Sequence, residues 1–470
     1  MKQQSKAPVS KNQELELVIE GWGSRGEGIG RYCQFAIFVP GALPGETVRI
    51  RIVKVEKHLA YGKVLQVLIP SANRASEEEA GACPLYGRCG GCQLSHMRYE
   101  AQLAFKRDKV KQALVRIGSM SPDQVEAVLA PQTHGMPQGD WHYYRNKAQF
   151  PLQMVEGRPR VGFYAPRSHR LLPVTDCLLQ SKAAARVIQA IEAFLEQHAI
   201  PIYQEETHKG VLRHVLIRDG RATGEISVCL VINSAALPQK DAWIALMKQL
   251  GVDSFSININ RQRGNVILGS QTEVIWGRST ITDRLGGVQF HIAPAAFYQV
   301  NPVQTERLYQ KALAMAQLSG DEVVWDAYCG IGTISLFLAQ KAKQVYGVEI
   351  VPDAIENARE NARLNQMDNV CFYVGEAETV IPRLYHEEGI KADVMVLDPP
   401  RSGCEERLLR TLLDMAPGRI VYVSCDPATL ARDCKRLCES QYRVEKVETF
   451  DLFPNTYHVE TVVLLSLKNT

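Results

Sequence analysis

Val323-Val324-Trp325-Asp326-Ala327-Tyr328-Cys329-Gly330-Ile331-Gly332-Thr333-Ile334-Ser335-Leu336-Phe337-Leu338-Ala339 reads as a short buried strand, a glycine turn and an apolar helix. The rhythm recurs downstream. Gln344-Val345-Tyr346-Gly347-Val348, Val394-Met395-Val396-Leu397 and Arg419-Ile420-Val421-Tyr422-Val423 are further buried strands, alternating with helical patterns. Such alternation predicts an α/β doubly wound parallel sheet, with ligands held at the carboxyl ends of its strands.

The strand ends carry the chemistry. Gly330-x-Gly332 lets backbone approach a ligand closely, but Ser335 stands where a dinucleotide fingerprint has its third glycine. That counts against nicotinamide or flavin and accommodates S-adenosylmethionine, which has no pyrophosphate to cradle. Glu349 ends the next strand, where a carboxylate can accept both ribose hydroxyl protons. Glu376 reads as a solvated carboxylate in preference to an adenine contact. In Asp398-Pro399-Pro400-Arg401 the prolines stiffen the chain and hold Asp398 at the crevice. Ser424-Cys425-Asp426-Pro427 places Asp426 as a helix N-cap and Pro427 at the first helical position. Cys425 then meets the positive end of that helix, which is expected to lower its thiol pKa and favour the thiolate. A buried cysteine alone is ordinarily inert; its place beside a methyl-donor crevice makes Cys425 a candidate nucleophile.

The remaining sequence implies further domains. The chain has 470 residues, 46% hydrophobic, enough for two or three cores. Its formal charge is only +3, but residues 1–70 carry ten Lys/Arg against six Glu, and residues 141–177 six against two acids. Such blocks suit a polyanion or, equally, a solvated surface. Twelve cysteines in a large chain without an apparent signal peptide or membrane span predict reduced thiols, metal ligands or catalysis, and a cytoplasmic location.

Alternating segments at Leu15–Ile19, Phe35–Val39 and Val48–Ile52 predict a small β-barrel, with a bulge at Ile52-Val53 and Arg49, Arg51, Lys54 and Lys57 facing outward. A polar linker, Ser71 to Gly81, leads to Cys83-x5-Cys89-Gly90-Gly91-Cys92 and a helix from Tyr99 to Ile117. Three thiolates on a glycine-rich loop suit a metal centre that needs a fourth ligand; spacing alone leaves zinc and an iron–sulfur cluster as equal candidates. Between 141 and about 290 the pattern is mixed and strand-rich, with a helix at Ala183–His198. Trp141-His142-Tyr143-Tyr144-Arg145-Asn146-Lys147, near Arg158, Arg160, Arg167 and Arg170, interleaves aromatic and basic residues as an RNA surface does.

Nearly the whole chain resembles the RNA (uracil-5-)-methyltransferase family. The resemblance rests on Asp398 to Gly403, Ser424 to Pro427, His458-Val459-Glu460 and Ala296-Phe297-Tyr298-Gln299-Val300-Asn301. It implies that Gln299, Tyr328, Gly330, Glu349 and Asp398 line the S-adenosylmethionine site, that Cys425 is the nucleophile and that Glu460 is the base. Thr333 replaces an asparagine of some members, so no contact is assigned to it. The resemblance also supplies Cys177 as a fourth ligand beside Cys83, Cys89 and Cys92, and a [4Fe-4S] cluster as their cofactor.

The implied architecture is a TRAM- or OB-like barrel (7–67), a mixed α+β domain bearing the cluster and binding RNA (74–290), and a Rossmann-like methyltransferase domain (291–470). The helix at 97–117 is placed so that it can pack on the catalytic domain. Barrel plus cysteine set resembles enzymes of large-subunit rRNA, so C5 of a uridine in 23S rRNA is the expected target, with no membrane and no obligate protein partner. The rival substrate is tRNA. A non-catalytic RNA-binding or assembly factor is disfavoured by the intact Cys425 and Glu460, and a redox protein by the lack of a flavin or nicotinamide motif.

Overall fold

Apolar residues at every second position, Leu17, Ile19, Val48, Ile50 and Ile52 among them, fill a closed barrel of five strands. The computed structural model describes residues 7–80, 83–137 and 141–468. The barrel strands are Glu14–Trp22, Gly28–Tyr32, Phe35–Val39, Thr47–Val55 and Leu59–Ile69. The expected bulge is present, since the register slips between Ile52 and Lys54. Arg49 and Arg51 face outward, but each stands opposite a glutamate of the first strand, pairing with Glu16 at 3.1 Å and Glu14 at 2.6 Å. These two arginines are therefore paired within the barrel, and its excess of positive charge resides on other residues. Of the expected linker, Gly81 lies outside the described residues; its earlier part carries one helical turn, Glu77–Ala80.

The central region is a seven-stranded mixed sheet. Its order is Gln271–Gly277, Ser254–Ile259, Ile226–Ile232, Leu212–Asp219, Lys147–Val155, Arg158–Tyr164, Leu171–Pro173. Helices Lys182–His198 and Lys240–Gln249 supply Val187, Ile191, Trp243 and Met247 to its core. The aromatic segment before it is mostly packing. Tyr144 is buried with its hydroxyl on the Pro454 carbonyl, Trp141 stacks on Tyr99 with centroids 6.0 Å apart, and Asn146 is buried. Of the segment expected to meet RNA, Trp141, His142, Tyr143, Arg145 and Lys147 remain partly exposed, while Arg160 nearby is held by Glu192 and Glu196.

In the catalytic domain the order is Val370–Val374, Gln344–Glu349, Val323–Asp326, Val394–Leu397, Arg419–Ser424, Glu460–Leu467, Tyr442–Phe450. Six of the strands run in one direction, and only Glu460–Leu467, inserted between Arg419–Ser424 and Tyr442–Phe450, runs against them. From Val323–Asp326 the chain winds outward on one side, then returns to place Val394–Leu397 on the other. Between these two lies the switch point, where a doubly wound sheet opens a crevice. The hairpin Ile281–Leu285 and Val288–Ile292 packs into this domain's core, and the helix Tyr99–Arg116 buries Val110 and Leu114 against its opposite face.

Candidate active site

The crevice is a cavity of about 730 Å³, within the range of small-molecule sites. Gln299, Tyr328, Gly330, Glu349, Asp398, Cys425 and Glu460 all line it. Topology explains why residues so far apart in sequence meet: Tyr328, Glu349, Asp398 and Cys425 lie at or just past the carboxyl ends of parallel strands. Glu460 is the first residue of an antiparallel strand, so it begins at the edge where its neighbours finish.

Local contacts set each group. Gly330 has φ of 54°, and a Cβ there would meet nothing within 4 Å, so its backbone opens onto free space. The Glu349 carboxylate accepts from the Gly330 N–H at 3.2 Å and the Val351 N–H at 3.0 Å, which fixes its aim. Ser335, the residue in place of a third glycine, donates its hydroxyl to buried Asp326 at 2.6 Å. The Tyr328 hydroxyl donates to Glu378 at 2.6 Å, and the Gln299 carbonyl accepts from Asn146 at 3.1 Å. Glu376, expected in solvent, is exposed and also borders the cavity. Sequence reading missed Glu378, Phe297 and Phe453 on the wall; no strand-end or motif position marks the last.

The acids crowd one another. Burial, then the charge of Asp326, pushes Asp398 up to about 7. Burial, then Asp398, pushes Glu460 well above the usual carboxylate range, while Arg401 opposes the shift. A pocket lined by Glu349, Glu376, Glu378, Asp398 and Glu460 favours a cationic occupant.

Cys425 departs from expectation. Asp426 is the predicted N-cap, but its carboxylate takes the Ala428 and Thr429 N–H groups at 2.8 and 3.2 Å, so those donors are spent. Burial and the Glu460 and Asp398 charges push the Cys425 thiol up to about 11. This shift runs opposite to the lowering expected from the helix terminus. Cys425 also lines a second cavity of about 790 Å³, walled by the barrel turn Gly21–Arg25, by Lys109 and Arg116 of the helix, and by His458. Cys425 thus lines two cavities; Asp398 and Glu460 line only the first, and the second carries Asp108 and Asp426 instead.

Cys83, Cys89, Cys92 and Cys177 line another cavity, of about 260 Å³, with Arg145 and Asn455. All four are free thiols, and Cys92 is pushed up to about 12 by burial, then by Cys177. Among the described residues no three His, Cys, Asp or Glu side chains close around a single-ion position.

The chain is similar to known RNA methyltransferases. The family model described as tRNA (Uracil-5-)-methyltransferase matches residues 98–468, and that of the TRAM domain matches residues 8–65. An RNA methyltransferase of Clostridium tetani is 50% identical, over 98% of this chain and 97% of its own. One of Halalkalibacterium halodurans is 47% identical, over 98% of this chain and 99% of its own. The solved tRNA (uracil-54, C5)-methyltransferase of Pyrococcus abyssi, in complex with S-adenosyl-L-homocysteine, is 27% identical with a TM-score of 0.75, covering 96% of this chain and 99% of its own.

Proposed function

Because the chain belongs to the tRNA (uracil-5-)-methyltransferase family, with a TRAM barrel at its front, we propose that it methylates C5 of a uridine in 23S rRNA through a covalent Cys425 adduct. The observation that carries the mechanism is the place of Cys425 on the wall shared by two cavities. S-adenosylmethionine supplies an electrophilic methyl group on a sulfonium, and the acid-lined cavity suits that cation. The second cavity, open between barrel and helix, suits a flipped nucleotide.

C5 of uracil is too weak a nucleophile to take the methyl unaided. The Cys425 thiolate adds to C6; the C5–C6 π electrons move onto the C4 carbonyl as an enolate, and C5 then attacks the methyl as its bond to sulfur breaks. Glu460 removes the C5 proton, the C5–C6 double bond re-forms and the C6–S bond breaks, returning the thiolate. Gln299, Tyr328, Gly330, Glu349 and Asp398 hold the methyl donor in this reading.

Cys83, Cys89, Cys92 and Cys177 are assigned as ligands of a [4Fe-4S] cluster. Four cysteines line one void of about 260 Å³, and four thiolates are a ligand set that both zinc and an iron–sulfur cluster accept; the family resemblance favours the cluster. No redox step is needed, so the cluster's role is structural.

The barrel and cysteine set together support rRNA. A second reading, tRNA, is favoured by the Pyrococcus abyssi enzyme, whose match over 96% of this chain extends into the barrel. Incubation with labelled S-adenosylmethionine and unmodified rRNA and tRNA, side by side, decides it. 5-Methyluridine in rRNA alone supports the first reading, label in tRNA alone the second, and none in either removes both.

A further inference from the structure

The connection between the last two strands, residues 451–459, carries Phe453 and His458 to the cavity and delivers the chain to Glu460. It contains no helix or strand, so its shape depends on what grips it. Asn455 is the most tightly held point. It is 4% exposed and has φ of 65°, a left-handed backbone that asparagine tolerates better than most residues. Gln102, 2% exposed and 353 residues away, meets it with both ends of its amide. Gln102 Nε2 donates to Asn455 Oδ1 at 3.1 Å, and Gln102 Oε1 accepts the Asn455 N–H at 2.9 Å. The Asn455 carbonyl accepts the Gln93 and Leu94 N–H groups, each at 2.9 Å, directly after Cys92. One turn along the helix, buried Lys106 pairs with Asp451 and donates to the Phe453 carbonyl at 3.0 Å.

We infer that Gln102 and Asn455 are positioning residues for the base: their reciprocal amide pair holds this arch in the shape that presents Glu460 to the uracil bound at Cys425. The inference rests on the reading of Glu460 as the base. A purely structural pair would make the same bonds, so the test must report the step in which the base acts. Glu460 works after methyl transfer, and until the C5 proton leaves, the C6–S bond cannot break. A misaimed base therefore leaves protein covalently joined to methylated RNA.

The experiment compares full-length wild type with Gln102→Ala, Asn455→Gly and Glu460→Gln on whichever RNA accepts label. Asn455→Gly keeps the left-handed backbone and removes only the side-chain grip. The readouts are kcat, KM, S-adenosylhomocysteine affinity and the RNA–protein adduct that survives denaturant. The expected result for both pair variants is kcat lower by about tenfold or more, cofactor affinity within about twofold, and adduct raised several-fold. Unchanged kcat, or lower kcat without adduct, overturns the inference. Adduct in Glu460→Gln alone also overturns it but leaves the base reading intact, whereas adduct in none removes that reading as well. If Gln102→Ala does not fold, Gln102→Glu still accepts the Asn455 N–H; an intermediate adduct level supports the inference, and a wild-type level overturns it.

Discussion

Ser424 pairs with Thr461 across antiparallel strands, so Cys425 and Glu460 are the next residues outward at one edge of the sheet. The register sets the proposed nucleophile and base on neighbouring strands without any local motif joining them. Cys425→Ala is expected to lower methylation by about a thousandfold or more, since no other group can open C5 to attack. Cofactor affinity, measured by calorimetry, should stay within about twofold. Full activity in that variant would exclude the covalent route.

The crowded acids give a pH dependence with a definite sign. Asp398 sits at about 7, above the ordinary carboxylate value, because burial and Asp326 disfavour its charge. Its stabilising contribution to the cofactor-free fold is present at low pH and is lost as pH rises through about 7. Between about pH 4 and pH 7 the Tm of the free protein should fall and then level off, and Asp398→Asn should flatten that fall. As pH rises through about 7 the affinity for S-adenosylmethionine relative to S-adenosylhomocysteine should rise, because only the former carries the sulfonium that an ionised Asp398 favours. A ratio independent of pH would separate Asp398 from the cation.

The four cysteines make a prediction by colour. Serine at Cys83, Cys89, Cys92 or Cys177 should abolish the visible absorbance of anaerobically purified protein. Serine at Cys33 or Cys371, both exposed, should leave it unchanged. A colourless wild type with one zinc per chain would replace the cluster by a single ion. Unchanged absorbance in any of the four variants would remove that residue from the set.

Much of the catalytic domain was legible because parallel strands buried on both faces read as unbroken apolar runs, and site residues cluster at their ends. Glu349, Asp398 and Cys425 are of this kind. Glu460 was legible only through the family resemblance, since its place depends on strand register. The Cys425 pKa was misread for a related reason. The helix terminus was visible in sequence, but Asp426's use of its N–H groups and the neighbouring Glu460 and Asp398 charges belong to the folded site. The aromatic segment around Tyr144 looked like an RNA platform because composition cannot tell a stacked base from a stacked neighbour. Gln102 and Asn455 left no signal, being an amide pair joined only by tertiary structure.

The proposal that the second cavity admits the nucleotide makes the barrel part of the reacting site, and the cavity's cations allow a test. Arg25 of the barrel turn and Arg116 of the helix are both exposed and flank the opening that leads to Cys425. Arg49 and Arg51, by contrast, are already paired with glutamates. If RNA passes between barrel and helix, Arg25→Ala and Arg116→Ala should each raise the KM for RNA several-fold with little change in kcat. Each should also reduce the slope of log affinity against log salt by about 0.7, the value for one phosphate contact on a single strand. Arg49→Ala should do neither, because Arg49 lies outside the lining of that cavity. Equal effects from Arg49 and Arg25 would mean that RNA is held by the barrel's outer face, and that the cavity beside Cys425 admits the target nucleotide alone.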